Sequence, residues 1–484
     1  MQYKEIEQCV QKIKGAASNK IYERKWNEAL SLISAAAGIL YNTNLYYSDQ
    51  ELENDIFQIA KELISPKLKP GNCNENVLMF YDGFGLDRRG LAQIYLRALC
   101  KLKRVVYVTY EEASNRIPEI MSILSKNGGE VFYLKKTRFT KRINDLQECI
   151  ECYKPKEFFF YSLPNDVVAT TIMNAYQGII RNFQINLTDH AFWLGVKPLD
   201  YCIEFRSYGA NISRDYRNVP ESKIVEIPFY PVINYQDEFQ GFPFPVEENK
   251  KVVFSGGALY KTLGDGNKYY KIVQYMLEQH PDVIFWYAGT GDRTEMDRLI
   301  QRYPDRVFLT PERSDLFQVL EHCYLYLSTY PVSGGLMFQY AASASKVPIT
   351  LRQGSVTDDF LISQSELKIQ FDDMELLLQE LDRLLEDPAY AQTRGEIVKN
   401  SVITEDAFEN AVEKVLGDKN TGFSIDYKKT ETEKFRQNYL ERLDSKALCM
   451  LMAEKDSWAL VKVFPKMFFK GAWIKLTSKI KSIG

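Results

Sequence analysis

The sequence predicts an α/β protein with two parallel-sheet domains. Three observations carry that reading. Between residues 77 and 187, five short apolar runs alternate with segments of helical period. The alternation pauses in a stretch holding Pro228, Pro231, Pro243 and Pro245, then restarts at Val252. Several of the apolar runs open directly into glycine-containing loops followed by a helix start, the pattern of parallel strands joined by helical crossovers. A chain of 484 residues is also too long for one core. The organisation reads as a helical N-terminal extension over 1–70, a first α/β domain over 71–235 and a linker over 236–249. A second α/β domain over 250–425 and C-terminal helices over 426–484 follow.

In the extension, Trp26, Leu30, Ile33, Ala37 and Leu40 recur at helical spacing, as do Leu52, Ile56, Ile59 and Leu63. Pro66 and Pro70 end it. Strands are expected over 77–81, 105–110, 131–134, 157–161, 183–187 and 199–203. In the second domain they are expected over 252–254, 283–287, 307–309, 324–328 and 347–351, with helices between. Ligands in such sheets sit beyond the carboxyl ends of the strands, so the strand-end loops are where chemistry is sought.

Composition narrows the class. Hydrophobic residues make up 45% and charged residues 26%, as in soluble globular proteins. The net charge of −3 gives no field for nucleic acid. No apolar run approaches the roughly 20 residues that span a bilayer, and the N-terminus lacks the apolar stretch of a signal peptide. The eight scattered cysteines fit reduced thiols and a cytoplasmic location. Cys149 and Cys152 form one CxxC without a second pair, and there are three histidines, so no metal site is expected.

Four stretches can carry chemistry. Residues 252–271 run from an apolar strand through Ser255, Gly256 and Gly257 to Lys261, and restart as a helix near Asn267, beside Lys268. Exposed amides, a helix start and a lysine make an anion site; the plainer alternative is an ordinary strand–helix connection. The strand near residue 287 closes on Gly289 and Gly291. Ser333, Gly334, Gly335 and Leu336 form a second small-residue turn before a helix, again fit for phosphate oxygens. In the first domain, Asp82, Gly83, Arg88 and Arg89 form one strand-end loop. His190 sits on another, where an imidazole can act as a base or hold a hydroxyl; local hydrogen bonding is the alternative.

With these residues in view, the chain resembles a GT-B-type glycosyltransferase over roughly residues 75–420. That class has two Rossmann-like domains facing a cleft. The segment Phe254 to Lys261 is similar to one in O-linked N-acetylglucosamine transferase relatives whose lysine contacts the nucleotide diphosphate. The resemblance implies that Gly256, Gly257, Lys268, Gly289, Gly291, Ser333, Gly334, Gly335 and Leu336 line the donor site. It implies catalytic roles for Lys261 and His190, and acceptor contacts at Asp82, Gly83, Arg88 and Arg89. One departure stands out. Many retaining members carry two glutamates in the helix after the diphosphate turn, where this chain offers Gln339, which can bond a ribose but bears no charge.

The expected activity is transfer of a sugar, as hexosyl or N-acetylhexosaminyl, from a nucleotide-sugar. The donor is expected to be a UDP-sugar and the acceptor a saccharide, lipid-linked saccharide or protein in bacterial surface glycan synthesis. No cofactor is called for, since the nucleotide-sugar is a substrate, and no DxD motif stands out for a metal. The alternatives are an inactive GT-B-like subunit that binds an acceptor or partner, and a nucleotide-sugar epimerase of similar architecture. From Leu460 to Gly484 the chain has six lysines among Phe, Trp and Ile residues and no acid. That pattern suits an anionic membrane surface and a peripheral position at its inner face; a helix packed back on the core is the competing reading.

Overall fold

Strand β1 (Asn74–Asp82) shows why the first sheet lies inside. Its sequence is fully apolar from Val77 to Tyr81, and those residues are buried. A strand apolar on both faces needs helices on both sides of its sheet. The computed structural model describes residues 3–85, 91–110, 118–352, 360–362, 364–418, 420–433, 436–437 and 445–481.

The chain forms two compact units. Unit 1 comprises Met1–Ile227, Glu409–Lys429 and Tyr439–Gly484; unit 2 comprises Pro228–Phe408 and Thr430–Asn438. In unit 1 three helices come first: α1 (Tyr3–Tyr22), α2 (Trp26–Thr43) and α3 (Gln50–Leu63). Then β1, β2 (Arg104–Tyr110), β3 (Glu130–Leu134), β4 (Pro155–Tyr161), β5 (Arg181–Ile185), β6 (Tyr201–Glu204) and β7 (Ile224–Glu226) alternate with α4 (Leu91–Leu102), α5 (Pro118–Lys126), α6 (Phe139–Tyr153), α7 (Val167–Ala175) and α8 (Ser207–Arg217). The sheet order is β3-β2-β1-β4-β5-β6-β7, and every pairing is parallel.

Unit 2 holds β8 (Lys251–Gly256), β9 (Val283–Ala288), β10 (Val307–Thr310), β11 (Leu325–Leu327), β12 (Pro348–Leu351) and β13 (Gln370–Phe371), in the order β10-β9-β8-β11-β12-β13. Its helices include α9 (Lys268–Gln279), α10 (Thr294–Arg302), α11 (Leu316–His322) and α12 (Gly335–Ser343). Both sheets run third, second, first, fourth, fifth, which is the doubly wound Rossmann order. The chain reverses direction across the sheet between β1 and β4 in unit 1 and between β8 and β11 in unit 2. Those two gaps are where each fold offers a ligand site.

The unit boundaries shift from those read in the sequence. The first 70 residues are no separate extension: α2 is apolar on nearly every face and shares one core with the sheet of unit 1. The stretch 409–429 also joins unit 1, where Arg181 bonds the Leu416 carbonyl at 2.7 Å and Asp418 at 2.7 Å. The expected linker packs onto unit 2 through its aromatic residues, with Phe244 stacked on Phe308 at 4.1 Å and Phe242 edge-on to Trp286.

The C-terminal tail docks on unit 1. Leu448, Met452, Ala459 and Leu460 are buried in its core, and Asp456 takes a bidentate ion pair from Arg142 at 3.0 and 2.8 Å. Its last helix, Pro465–Lys481, turns Met467 and Phe468 inward. The packed-back reading therefore describes one face of that helix. No helix among the described residues is long and apolar enough to cross a membrane.

Candidate functional site

In unit 2 the loops after β8, β9 and β11 close around Lys261. Gly257 takes a left-handed φ of 129° and donates to the Ala288 carbonyl at 2.9 Å. Leu259 N–H reaches the Thr290 carbonyl at 2.9 Å. These bonds lay the β8 loop flat on the β9 loop. A β-carbon built on Gly289 would lie 1.9 Å from the Gly257 carbonyl oxygen, so this approach needs a glycine. Gly291 is held to glycine by its φ of 139°, and a β-carbon there would also crowd the Leu259 Cβ at 3.1 Å. Both residues shape the loop pair through the backbone.

Lys261 rides a short 3₁₀ turn, Leu259–Thr262, and its carbonyl accepts from Val332 N–H at 3.2 Å. That bond ties the β8 loop to the β11 loop. The ammonium comes within 4.0 Å of a β-carbon built on Gly257 and within 3.5 Å of one built on Gly334. Gly334 is the N-cap of α12 and has no side chain to cap the first N–H groups. Glycine backbone on two sides, a lysine head and an uncapped helix start thus meet at the reversal point of the second sheet. Ser333 and Leu336 flank the turn, half-buried. Gly335 is required by packing, since a β-carbon there would meet the Phe360 ring at 2.6 Å. Gly256 ends β8 against Ala288.

In unit 1 the loop after β5 is pinned from below. Arg217, buried at 2% exposure, donates to the carbonyls of Thr188, Asp189 and Ala191 at 3.2, 2.9 and 2.6 Å. Asn44 of the α2 end holds the His190 carbonyl at 3.0 Å. Asp189 turns inward, is fully buried, and takes Arg206 on both oxygens. Burial alone would raise its pKa, but the Arg206 charge and the His190 bond hold it well below the usual carboxylate range. His190 Nδ1 lies 3.1 Å from Asp189 Oδ1, with the side chain one-third exposed. A carboxylate on Nδ1 selects the tautomer whose Nε2 is the basic nitrogen. Asp189 is thus the residue that orients the histidine. Arg206 and Arg217 lie 16 and 27 residues after His190, on a stretch with no motif to announce them.

No family model matches the chain, and no curated protein matches its sequence. Solved structures match it in fold. A Thermobaculum terrenum O-GlcNAc transferase mutant aligns over 90% of this chain and 82% of its own, at 12% identity and a TM-score of 0.56. Anabaena HepE in complex with UDP-glucose aligns over 70% of this chain and 99% of its own, at 11% identity and a TM-score of 0.50. The chain has the GT-B fold.

Within that GT-B framework several expected site residues have other work. Asp82 is fully buried and serves as a turn hub. One oxygen accepts from Phe84 and Gly85 N–H at 2.9 and 2.8 Å, the other from Tyr107 at 2.6 Å. It holds the loop and does not face an acceptor. Gly83 is a packing glycine, since a β-carbon there would fall 1.7 Å from Ser162 Oγ. Arg88 and Arg89 lie outside the described residues. Lys268 is paired with Asp265 at 3.0 Å at the start of α9. Gln339 is buried at 1% exposure and donates to the backbone carbonyls of Phe229 and Phe360, so it staples unit 2 internally and is not aimed at a ribose. Among the described residues, no group of three or more His, Cys, Asp or Glu side chains could hold a metal. Cys149 is buried, which pushes its thiol up to about 12.

Proposed function

We propose that this chain is a glycosyltransferase that moves a sugar from a UDP-sugar to a saccharide, lipid-linked saccharide or protein acceptor in surface glycan synthesis. The observation that supports it is the Lys261 ammonium bracketed by Gly257 and Gly334 beside the uncapped start of α12. In the transfer, the bond between the anomeric carbon and the diphosphate oxygen breaks, and an acceptor hydroxyl bonds to that carbon. The charge left on the diphosphate is met by Lys261 and the α12 amides. For an inverting reaction the hydroxyl proton passes to Nε2 of His190, oriented by Asp189. The metal-independent reading follows from that supply of positive charge.

The test is a thermal-shift panel of UDP, UDP-glucose and UDP-N-acetylglucosamine, followed by UDP release with saccharide acceptors. At least one compound should raise the melting midpoint. Lys261→Ala should abolish the shift and lower turnover about 10²–10³-fold, and turnover should survive EDTA. A native chain that no UDP compound stabilises would end the reading. A second reading has one observation behind it: α12 carries the buried Gln339 and no acid. UDP binding without turnover on any acceptor would favour a binding subunit.

The same reading places the chain in the cytoplasm at an anionic membrane surface. On the last helix Phe469, Trp473 and Leu476 stand outward at 62, 66 and 54% exposure, at spacings that keep them on one face. Lys466 and Lys470 are exposed beside them. An apolar row edged by lysines fits an anionic bilayer, each lysine contributing about 1 kcal/mol near the surface. The chain should float with phosphatidylglycerol vesicles, and a Phe469→Glu, Trp473→Glu double variant should not. Equal flotation of the two proteins would reject the membrane surface.

A further inference from the structure

Strand β6 ends on a second buried acid of unit 1, one that the proposed transfer does not use. Glu204 is fully buried, and its oxygens accept from three side chains. Asn186 Nδ2 gives to both oxygens, at 2.8 and 3.0 Å. Cys202 Sγ lies 3.2 Å from Oε1, and the Ser213 hydroxyl bonds that same oxygen. Accepting on every side is the behaviour of a carboxylate. Burial raises the Glu204 pKa, while the Arg217 charge and the bonds from Ser213 and Asn186 oppose the rise.

Two routes lead from this carboxylate to the His190 loop. The first is Asn186, the residue after β5. With two acceptor oxygens in front of it, its amide nitrogen must face Glu204. Its Oδ1 is thereby turned to the Thr188 N–H, at 3.1 Å, two residues before His190. The second route is Arg217. Its Nη1 bonds Ser213 Oγ at 3.1 Å, and Ser213 in turn bonds Glu204. Gly209, in the first turn of α8, shows how closely the two acids approach that helix. A β-carbon on it would fall 2.3 Å from Glu204 Oε2 and 2.8 Å from Asp189 Cβ. Only a glycine lets α8 close on both.

The charges then sort into pairs. Asp189 takes Arg206 and still lends Oδ1 to His190 Nδ1. Arg217 has two carboxylate neighbours, Glu204 and Asp189. While Glu204 answers Arg217, Asp189 is left to the imidazole. Without that charge the buried guanidinium has Asp189 as its remaining carboxylate, and a buried cation without a partner is strongly unfavourable. We infer that Glu204 is a positioning residue for His190: by answering Arg217 and clamping Asn186, it keeps Asp189 on the imidazole Nδ1. Why a fixed imidazole is wanted there rests on the glycosyltransferase reading; the positioning itself is read without any substrate.

The test is ¹⁵N NMR of the full chain labelled at histidine, at about pH 8.5, where an ordinary imidazole is neutral. The chain has three histidines, and His190→Gln identifies the resonances of this one. Its native ring should be a single tautomer, Nδ1 protonated and Nε2 bare, with the two nitrogens far apart in shift. Glu204→Gln should reduce that separation at least twofold, as Asp189 leaves and the tautomers mix. Asn186→Ala keeps both charges but cuts the link to Thr188. It should act likewise, and it serves if Glu204→Gln does not fold. A Glu204 that merely holds the core would lower the melting midpoint and leave the ring nitrogens at native values. That result overturns the proposal, as does a native ring protonated on Nε2. The UDP thermal shift belongs to unit 2 and should persist in both variants. Ring nitrogens that respond, in a chain that UDP never stabilises, uphold the positioning and retire the transfer reading alone.

Discussion

The Lys261 loops of unit 2 and the His190 loop of unit 1 both end parallel strands, yet they are made of different materials. The unit 2 loops are held by backbone: glycine against glycine, amide to carbonyl, with one charged side chain in the middle. The unit 1 loop is held by buried side chains, with Arg217 on three carbonyls and Arg206 on Asp189. The loop amides are spent on each other's carbonyls, and it is the uncapped start of α12 that offers N–H groups to an anion. A side-chain hub instead fixes one imidazole in one tautomer. The first suits a large charged ligand, the second a single proton transfer.

The sharpest way to break this comparison is Arg217→Met. The guanidinium is buried, bonds three carbonyls and Ser213, and faces the buried Glu204. Removing it strands those groups without a partner charge, a loss of about 3–5 kcal/mol. Urea unfolding should show that loss, while the UDP thermal shift of the remaining folded protein persists. Lysine should not rescue it, because the guanidinium reaches the three carbonyls through Nη2 and Ser213 through Nη1, a span that one ammonium cannot reproduce. A variant as stable as the native chain would mean that the loop is held by something else.

The same contrast explains what the sequence made legible. Strands such as β1 and β4 announce themselves because both faces are apolar, and the glycine turns are visible because close backbone approach leaves glycine no substitute. Lys261 and Gly334 could be paired from sequence alone, and they do meet. The His190 hub was half visible. His190 stood out by rarity, but Arg206 and Arg217 act over long sequence distances that no local pattern records. Helix α8, which carries Arg217, buries Asn211 and Ser213 as well, so it shows no apolar stripe to read. Asp82 and Gln339 misled for the opposite reason: polar residues at suggestive positions turned inward to bond the backbone.

A finer test separates the two kinds of glycine within unit 2. At Gly289 an added methyl would fall 1.9 Å from a backbone carbonyl, and neither loop can move without breaking the bonds between them. Gly289→Ala should therefore cost about 1–3 kcal/mol, as overpacking does, and weaken UDP along with the fold. At Gly334 the φ of −115° is open to any residue, and the nearest neighbour is the movable end of Lys261 at 3.5 Å. Gly334→Ala should leave stability within about 0.5 kcal/mol of native while lowering UDP affinity by roughly tenfold, or about 1.4 kcal/mol. Melting curves with and without UDP read both effects at once. If Gly334→Ala unfolds the protein as readily as Gly289→Ala, the turn is structural and the ammonium beside it is not waiting for a diphosphate. If it changes neither stability nor affinity, the anion sits elsewhere, and the backbone half of the comparison fails with it.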